Sequence, residues 1–213
     1  MSTFQTGRTA GKNALRLGAG INVGAATEAS VLLPYDDAGD DNKTIIPMPT
    51  LELWARYGLR DNLDLGLRLY SVGVSGEVKI QVAGDQKSPF AAAMGVTVNY
   101  FGYSRPEPEE DTEEVDWSGR VQLLDFTTSV YLSYTLLNGW FNFYLAPKYV
   151  SRNVTLGATV EDTGGQIGIN NDLAGTGLGI AIGRDFSLYV EGGAYVPIGF
   201  DGTFYDVGIG FDF

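Results

Sequence analysis

The chain contains no cysteine and no histidine in its 213 residues. Without cysteine there is no disulfide framework, no thiolate metal site and no thiol nucleophile. Without histidine the usual general base, the usual zinc ligand and any Ser–His dyad are missing as well. Positive charge is scarce: 14 Lys and Arg stand against 26 Asp and Glu, a formal net charge of -12. Such a chain cannot neutralise a phosphate backbone, which argues against nucleic acid as a partner. No stretch approaches the roughly 18–20 consecutive apolar residues of a transmembrane helix, and no window carries convincing helical periodicity. The first residues lack a signal-peptide pattern, as expected of a cytosolic chain or of a mature, processed one. What the chain does have is 29 glycines, 12% aromatics and 44% hydrophobic residues. Its length suits one domain with its own core.

The hydrophobic residues recur with a period of two. Leu63, Leu65, Leu67 and Leu69 alternate with Asp64, Gly66, Arg68 and Tyr70, which reads as a strand with one apolar face. The same pattern recurs over 15–23, 51–57, 77–82, 94–100, 124–134, 141–149, 177–183, 187–196 and 205–213. Ten strands are therefore expected. An eight-strand alternative requires merging two hairpins, most plausibly around 173–200.

The face opposite the apolar one is unusual for a surface in water. It is mostly Gly, Ala, Ser, Thr, Asn and Tyr, with sparse charges of both signs. A transmembrane barrel explains this by turning the apolar face to lipid and packing small or polar residues into the lumen. Tyr57, Tyr100, Tyr134, Trp140, Phe141 and Tyr205 lie near strand ends, where interfacial aromatic girdles belong. Short connections are expected at 60–62, 84–89, 137–139 and 184–185, and long ones at about 25–46, 103–120 and 157–173. Short turns at one rim and long loops at the other form the outer-membrane pattern, with both termini on the short-turn, periplasmic side. The whole chain, 1–213, then forms one barrel domain, with 1–12 as a periplasmic N-terminal segment.

The last strand carries Tyr205, Val207, Ile209, Phe211 and a terminal Phe213. This alternating strand ending in Phe resembles the β-signal of bacterial outer-membrane β-barrel proteins. The resemblance implies residence in a Gram-negative outer membrane, contact with its lipid, and handling by the barrel-assembly machinery during biogenesis. It identifies a class and no individual member. Enzymes among the small outer-membrane barrels rely, as the resemblance implies, on a catalytic histidine, which this chain lacks. No enzymatic activity, catalytic residue, metal site or cofactor is therefore expected.

The charges assigned to the lumen are Arg16, Glu52, Arg56, Asp64, Arg68, Glu77, Lys79, Asp125, Lys148, Glu191 and Asp206. Charges in a narrow barrel are costly unless paired, so the favoured reading is a network of ion pairs that closes the lumen. The sharper reading is a charged constriction that selects ions or small solutes. About eight strands leave room only for side chains, whereas porin-size channels need about sixteen; ten strands lie near the filled end. The Gly18-Ala19-Gly20 and Gly208-Ile209-Gly210 strings have no following helix and match lumen positions where small residues relieve crowding.

The expected long loops are acidic. The first carries Glu28, Asp36, Asp37, Asp40 and Asp41; the second Glu107, Glu109, Glu110, Asp111, Glu113, Glu114 and Asp116; the third Glu161, Asp162 and Asp172. A solvated, self-repelling surface is the commonest meaning of such runs. Divalent cations or a basic protein are candidate partners there. The expectation is a non-enzymatic barrel with a largely side-chain-plugged lumen, structural or surface-interacting through its acidic loops. A narrow channel for ions or small solutes is the alternative, and a soluble lipocalin-like binder the second.

Overall fold

The computed structural model describes residues 4–26, 46–71, 73–85, 88–105, 117–160, 163–184, 186–199 and 202–213. Ten antiparallel strands follow in chain order: β1 Leu15–Ala26, β2 Ile46–Arg60, β3 Leu63–Tyr70, β4 Gly73–Ala83, β5 Phe90–Arg105, β6 Trp117–Leu136, β7 Phe141–Val160, β8 Thr163–Gly183, β9 Ser187–Pro197 and β10 Phe204–Asp212. Each pairs with its neighbour in sequence, and β1 pairs with β10 to close the barrel. Closure sets Ala19 opposite Phe211 and Ile21 opposite Ile209, and Leu17 and Phe213 exchange backbone hydrogen bonds at 2.9 and 3.1 Å. Closure leaves no open edge around the barrel, as a lipid environment requires, while toward the long-loop rim residues 163–172 of β8 pair with β7 alone. Ten strands are present, so the eight-strand alternative is set aside.

The side chains sort as the alternation dictates, but inside out relative to a soluble protein. The four leucines of β3 face outward, with Leu67 at 52% exposure, while Asp64 and Arg68 on the same strand are buried. The outward set continues around the barrel through Ile21, Leu53, Val78, Val96, Val130, Leu178, Val190 and Val207. An apolar belt of this extent is stable against hydrocarbon, not water, and the soluble lipocalin-like reading fails on it. Tyr57, Tyr134 and Trp140 lie exposed toward one rim, Tyr100 and Tyr205 toward the other. Tyr57 Oη donates to Asn13 Oδ1 at the first of these rims (3.2 Å). The five β-signal residues all face outward, four on β10 and Phe213 just past its end, exposed by 40–62%.

Several strands outrun their sequence signal. The loop expected over 157–173 is instead mostly strand: β7 runs to Val160 and β8 begins at Thr163, paired residue by residue from Val160↔Thr163 to Phe141↔Ile182. Gly157, Gly164, Gly165 and Gly168 erase the apolar alternation there, yet glycine still supplies both ladder groups, so pairing persists where the pattern stops. The other two long connections are shortened by β1, β2, β5 and β6. Residues 27–45, 106–116 and 161–162 fall outside the described residues, and with them every acidic loop residue named above except Asp172. Asp172 accepts a hydrogen bond from Tyr149 Oη (2.7 Å).

Candidate functional site in the barrel lumen

Even-numbered residues of β1–β3, β7 and β10 and odd-numbered residues of β4–β6, β8 and β9 point inward. This parity gathers the expected charges. Glu52, Arg56, Asp64, Arg68, Lys79, Asp125, Lys148, Glu191 and Asp206 are all buried, while Arg16 and Glu77 are half-buried. Arg68 Nη1 lies 2.9 Å from Glu52 Oε2. Lys148 Nζ lies 3.7 Å from Glu191 Oε1 and donates to Tyr195 Oη at 2.9 Å. Asp125 is gripped by both arms of Arg152, at 2.9 and 2.8 Å, the bidentate geometry that gives a guanidinium–carboxylate pair its strength. Arg16 faces Asp212 at 3.7 Å.

Two of these partners, Arg152 and Asp212, were not among the expected network. Arg152 lies beyond 149, where the alternation read from the sequence ends; its even number puts it on the lumen face. Asp212 sits on the polar face of β10, and its parity carried the same signal.

A larger addition is the N-terminal segment. The expectation of a periplasmic segment over 1–12 gave it no place among the barrel's internal contacts, yet residues 4–10 lie inside the barrel toward the short-turn rim. Phe4 is fully buried; its ring stacks on Trp54 at 5.3 Å and meets Tyr189 edge-on at 6.2 Å. Its N–H donates to Glu191 Oε2 (2.8 Å), and its φ of 44° places a bulky residue in the left-handed region that such residues rarely occupy. Glycines make the bed for this ring. A Cβ at Gly20 or Gly208 would come within 2.8 or 2.6 Å of it, and one at Gly210 within 2.8 Å of Trp54. The Gly-x-Gly strings are thus the flat floor on which two aromatic rings lie.

Further along, Gln5 Nε2 donates to Glu77 Oε2, and Tyr131 Oη donates to Glu77 Oε1 (2.8 Å). Lys79, with no exposed surface, donates to the carbonyls of Thr6 (3.1 Å) and Arg8 (2.6 Å). The Ala10 N–H donates to both Asp64 oxygens (3.1 and 2.9 Å). Arg8 Nη1 donates to the Asp85 carbonyl (2.6 Å) and its Nη2 to that of Ser88, tying the segment to the short β4–β5 connection. Burial lowers the Arg8 pKa from its ordinary value, and Asp85 opposes that.

Above this floor, toward the long-loop rim, the lumen holds a cavity of about 350 Å³. Trp54, Tyr70, Phe101, Tyr131, Tyr195 and Phe204 supply its rings, and Gln5 reaches it from the N-terminal segment. Among the described residues, no cluster of three or more Asp and Glu is arranged to hold a metal ion. No described helix is long and apolar enough to cross a membrane; the crossing elements are strands.

Replacing Arg68 by Ala takes the guanidinium from Glu52, whose side chain is 1% exposed. The expected result is a lower midpoint of urea unfolding in lipid vesicles, a loss of about 3 kcal/mol for breaking a buried pair. An unchanged midpoint would show that Glu52 is held by its other neighbours.

No protein-family model matches the chain, and no curated protein matches it either. Solved structures do. The outer membrane protease OmpT from Escherichia coli superposes with a TM-score of 0.53 at 7% identity, covering 93% of this chain and 94% of that one. The translocator domain of the autotransporter NalP from Neisseria meningitidis gives 0.48 at 9% identity, over 95% and 88%. Neisserial surface protein A gives 0.44 at 8% identity, over 93% and 95%. The fold of this chain is that of the bacterial outer-membrane β-barrels.

Proposed function

We propose that this chain is a non-enzymatic integral protein of the bacterial outer membrane whose lumen is closed toward the short-turn, periplasmic rim. It acts as a structural or surface-interacting barrel through its acidic long loops. The observation that carries the closed lumen is the placement of residues 4–10, anchored by Glu191 of β9 and by the paired neighbours Asp64 and Lys79 of β3 and β4. A backbone strand in a ten-stranded lumen occupies the space that side chains alone would have to fill. The absence of histidine and cysteine supports a non-enzymatic role. Outward display of Tyr205, Val207, Ile209, Phe211 and Phe213 on the closing strand supports their reading by the barrel-assembly machinery. A basic protein or divalent cations are the partners this reading assigns to the loop carboxylates.

A narrow channel for ions or small solutes is the second reading, favoured by the cavity already present above the floor. Single-channel recording of the refolded protein in a planar lipid bilayer, at two salt concentrations, decides between them. The closed barrel is silent; reproducible conductance steps from a correctly folded, heat-modifiable barrel would transfer the function to the channel.

A further inference from the structure

Toward the long-loop rim the lumen-facing side of the sheet changes character. Deeper in the barrel the inward residues of β6 and β7 include Asp125, Thr127, Ser129, Lys148 and Arg152, all polar and buried. Two positions beyond Asp125 and Arg152 the same face turns apolar. The register runs unbroken there, setting Phe101 opposite Leu123, Leu123 opposite Val154 and Val154 opposite Ile169. The next row sets Val121 opposite Leu156 and Leu156 opposite Ile167. Outward neighbours along these rows are Gln122, Asn153, Thr155, Gly168 and Asn170. A sheet with water outside takes this polarity, so β5–β8 end in an amphipathic wall whose apolar side faces the lumen axis. Among the described residues nothing covers that side fully: Ile167 is 62% exposed and Val121 40%.

The wall is continuous with the cavity of about 350 Å³, which Phe101 and Leu123 line together with Leu173, Trp54, Tyr131 and Phe204. The charges beside that cavity are engaged within the protein. Arg68, Lys148 and Arg152 hold Glu52, Glu191 and Asp125. Arg56 is drawn to both Glu77 and Asp64, and Asp206 has interactions of its own. An ionic ligand would lose its water there without gaining a free counter-charge, which is costly. A neutral apolar one gains by burial, and a cavity of this size lies at the lower end of small-molecule sites. We infer that the upper lumen and the apolar wall above it form one binding site for a small neutral molecule with a flat apolar body, admitted from the long-loop side. The inference rests on the closed floor proposed above, since an open lumen would give such a ligand a path and not a site.

The test is calorimetric titration of the full-length refolded protein in detergent micelles with 2-naphthamide, at two temperatures and against blanks of empty micelles. Two probes with the same rings accompany it, the anion 2-naphthoate and the cation 2-naphthylmethylammonium. Saturable binding of one amide per barrel is expected, at least tenfold tighter than that of either ion. Its enthalpy should grow more negative on warming, the heat-capacity mark of apolar burial. Leu123→Gln should weaken the amide at least tenfold, whereas Thr155→Val, on the outward face of the same wall, should leave it unchanged. If Leu123→Gln fails to give a heat-modifiable barrel, Val154→Thr takes its place; it keeps the shape, adds a hydroxyl, and is expected to bind several-fold more weakly. Either ion binding as tightly as the amide, wild-type affinity in the wall variant, an equal loss from Thr155→Val, or no saturable heat at either temperature each overturns the site. Bilayer recordings on the same preparation separate the two failures. Conductance with amide binding intact removes the closed floor and keeps the pocket, whereas silence without binding removes the pocket alone.

Discussion

Deletion of residues 2–10 is expected to convert a silent barrel into a conducting one and to lower its stability together. The segment's grip is concentrated in Phe4, whose ring has no exposed surface and lies on Trp54. Truncating a buried phenylalanine costs about 3–5 kcal/mol, and here the ring also holds a backbone at φ 44° that a less anchored residue would leave. Phe4→Ala should therefore reproduce part of the deletion: a lower unfolding midpoint with intermittent conductance as the segment leaves and returns. Once residues 4–10 are gone, the short-turn half of the lumen retains Trp54, Tyr144 and Tyr189, which pack there with Phe4. Any pore should stay far narrower than that of a sixteen-stranded porin. The measurement is planar-bilayer current alongside urea unfolding in vesicles. A deletion variant that folds with wild-type stability and stays silent would show that side chains alone close the lumen.

Glu191→Ala should be the most damaging single substitution in the lumen wall. Its carboxylate is buried, with Oε2 accepting from the Phe4 N–H and from Tyr144 Oη, both at 2.8 Å, while Oε1 faces Lys148 at 3.7 Å. Removing it takes a carboxylate from an ammonium that is itself 1% exposed, and breaking a buried pair from one side costs about 3–5 kcal/mol. The double substitution Glu191→Ala with Lys148→Met should recover much of that loss, because no buried charge is then left behind. It should not restore the Phe4 anchor. Unfolding midpoints of the two single variants and the double variant check the first point, and bilayer conductance the second. A double variant no more stable than Glu191→Ala would mean that Lys148 is satisfied by Tyr195 without its carboxylate.

The strands were legible because lipid outside and a crowded lumen inside impose different chemistry on alternate residues. Leu63 to Tyr70 shows this in eight positions, and the observed β3 has those same bounds. Where that contrast fades, so did the reading. In the outer parts of β7 and β8, Thr, Asn and Gly occupy both faces, and a paired hairpin reads as a loop. Arg152 was lost in the same stretch, although it forms the bidentate pair with Asp125. The N-terminal segment had no period to read at all. Residues 4–10 are held by their own backbone groups and by side chains about 50 to 187 positions away, and such contacts leave no local trace.

By itself, then, the sequence determined the number of strands and the face each presents to lipid, because both follow from a two-residue period; the charges expected in the lumen lacked Arg152 and Asp212. Only the tertiary structure decided how those charges are matched, since cross-strand register selects Glu52 for Arg68 and leaves Arg56 opposite Arg16. It also decided that the chain's own N-terminal residues enter the lumen, where buried carboxylates and Lys79 satisfy backbone groups that would otherwise need water. Periodicity reports which way a side chain points; what it meets there depends on closure of the barrel.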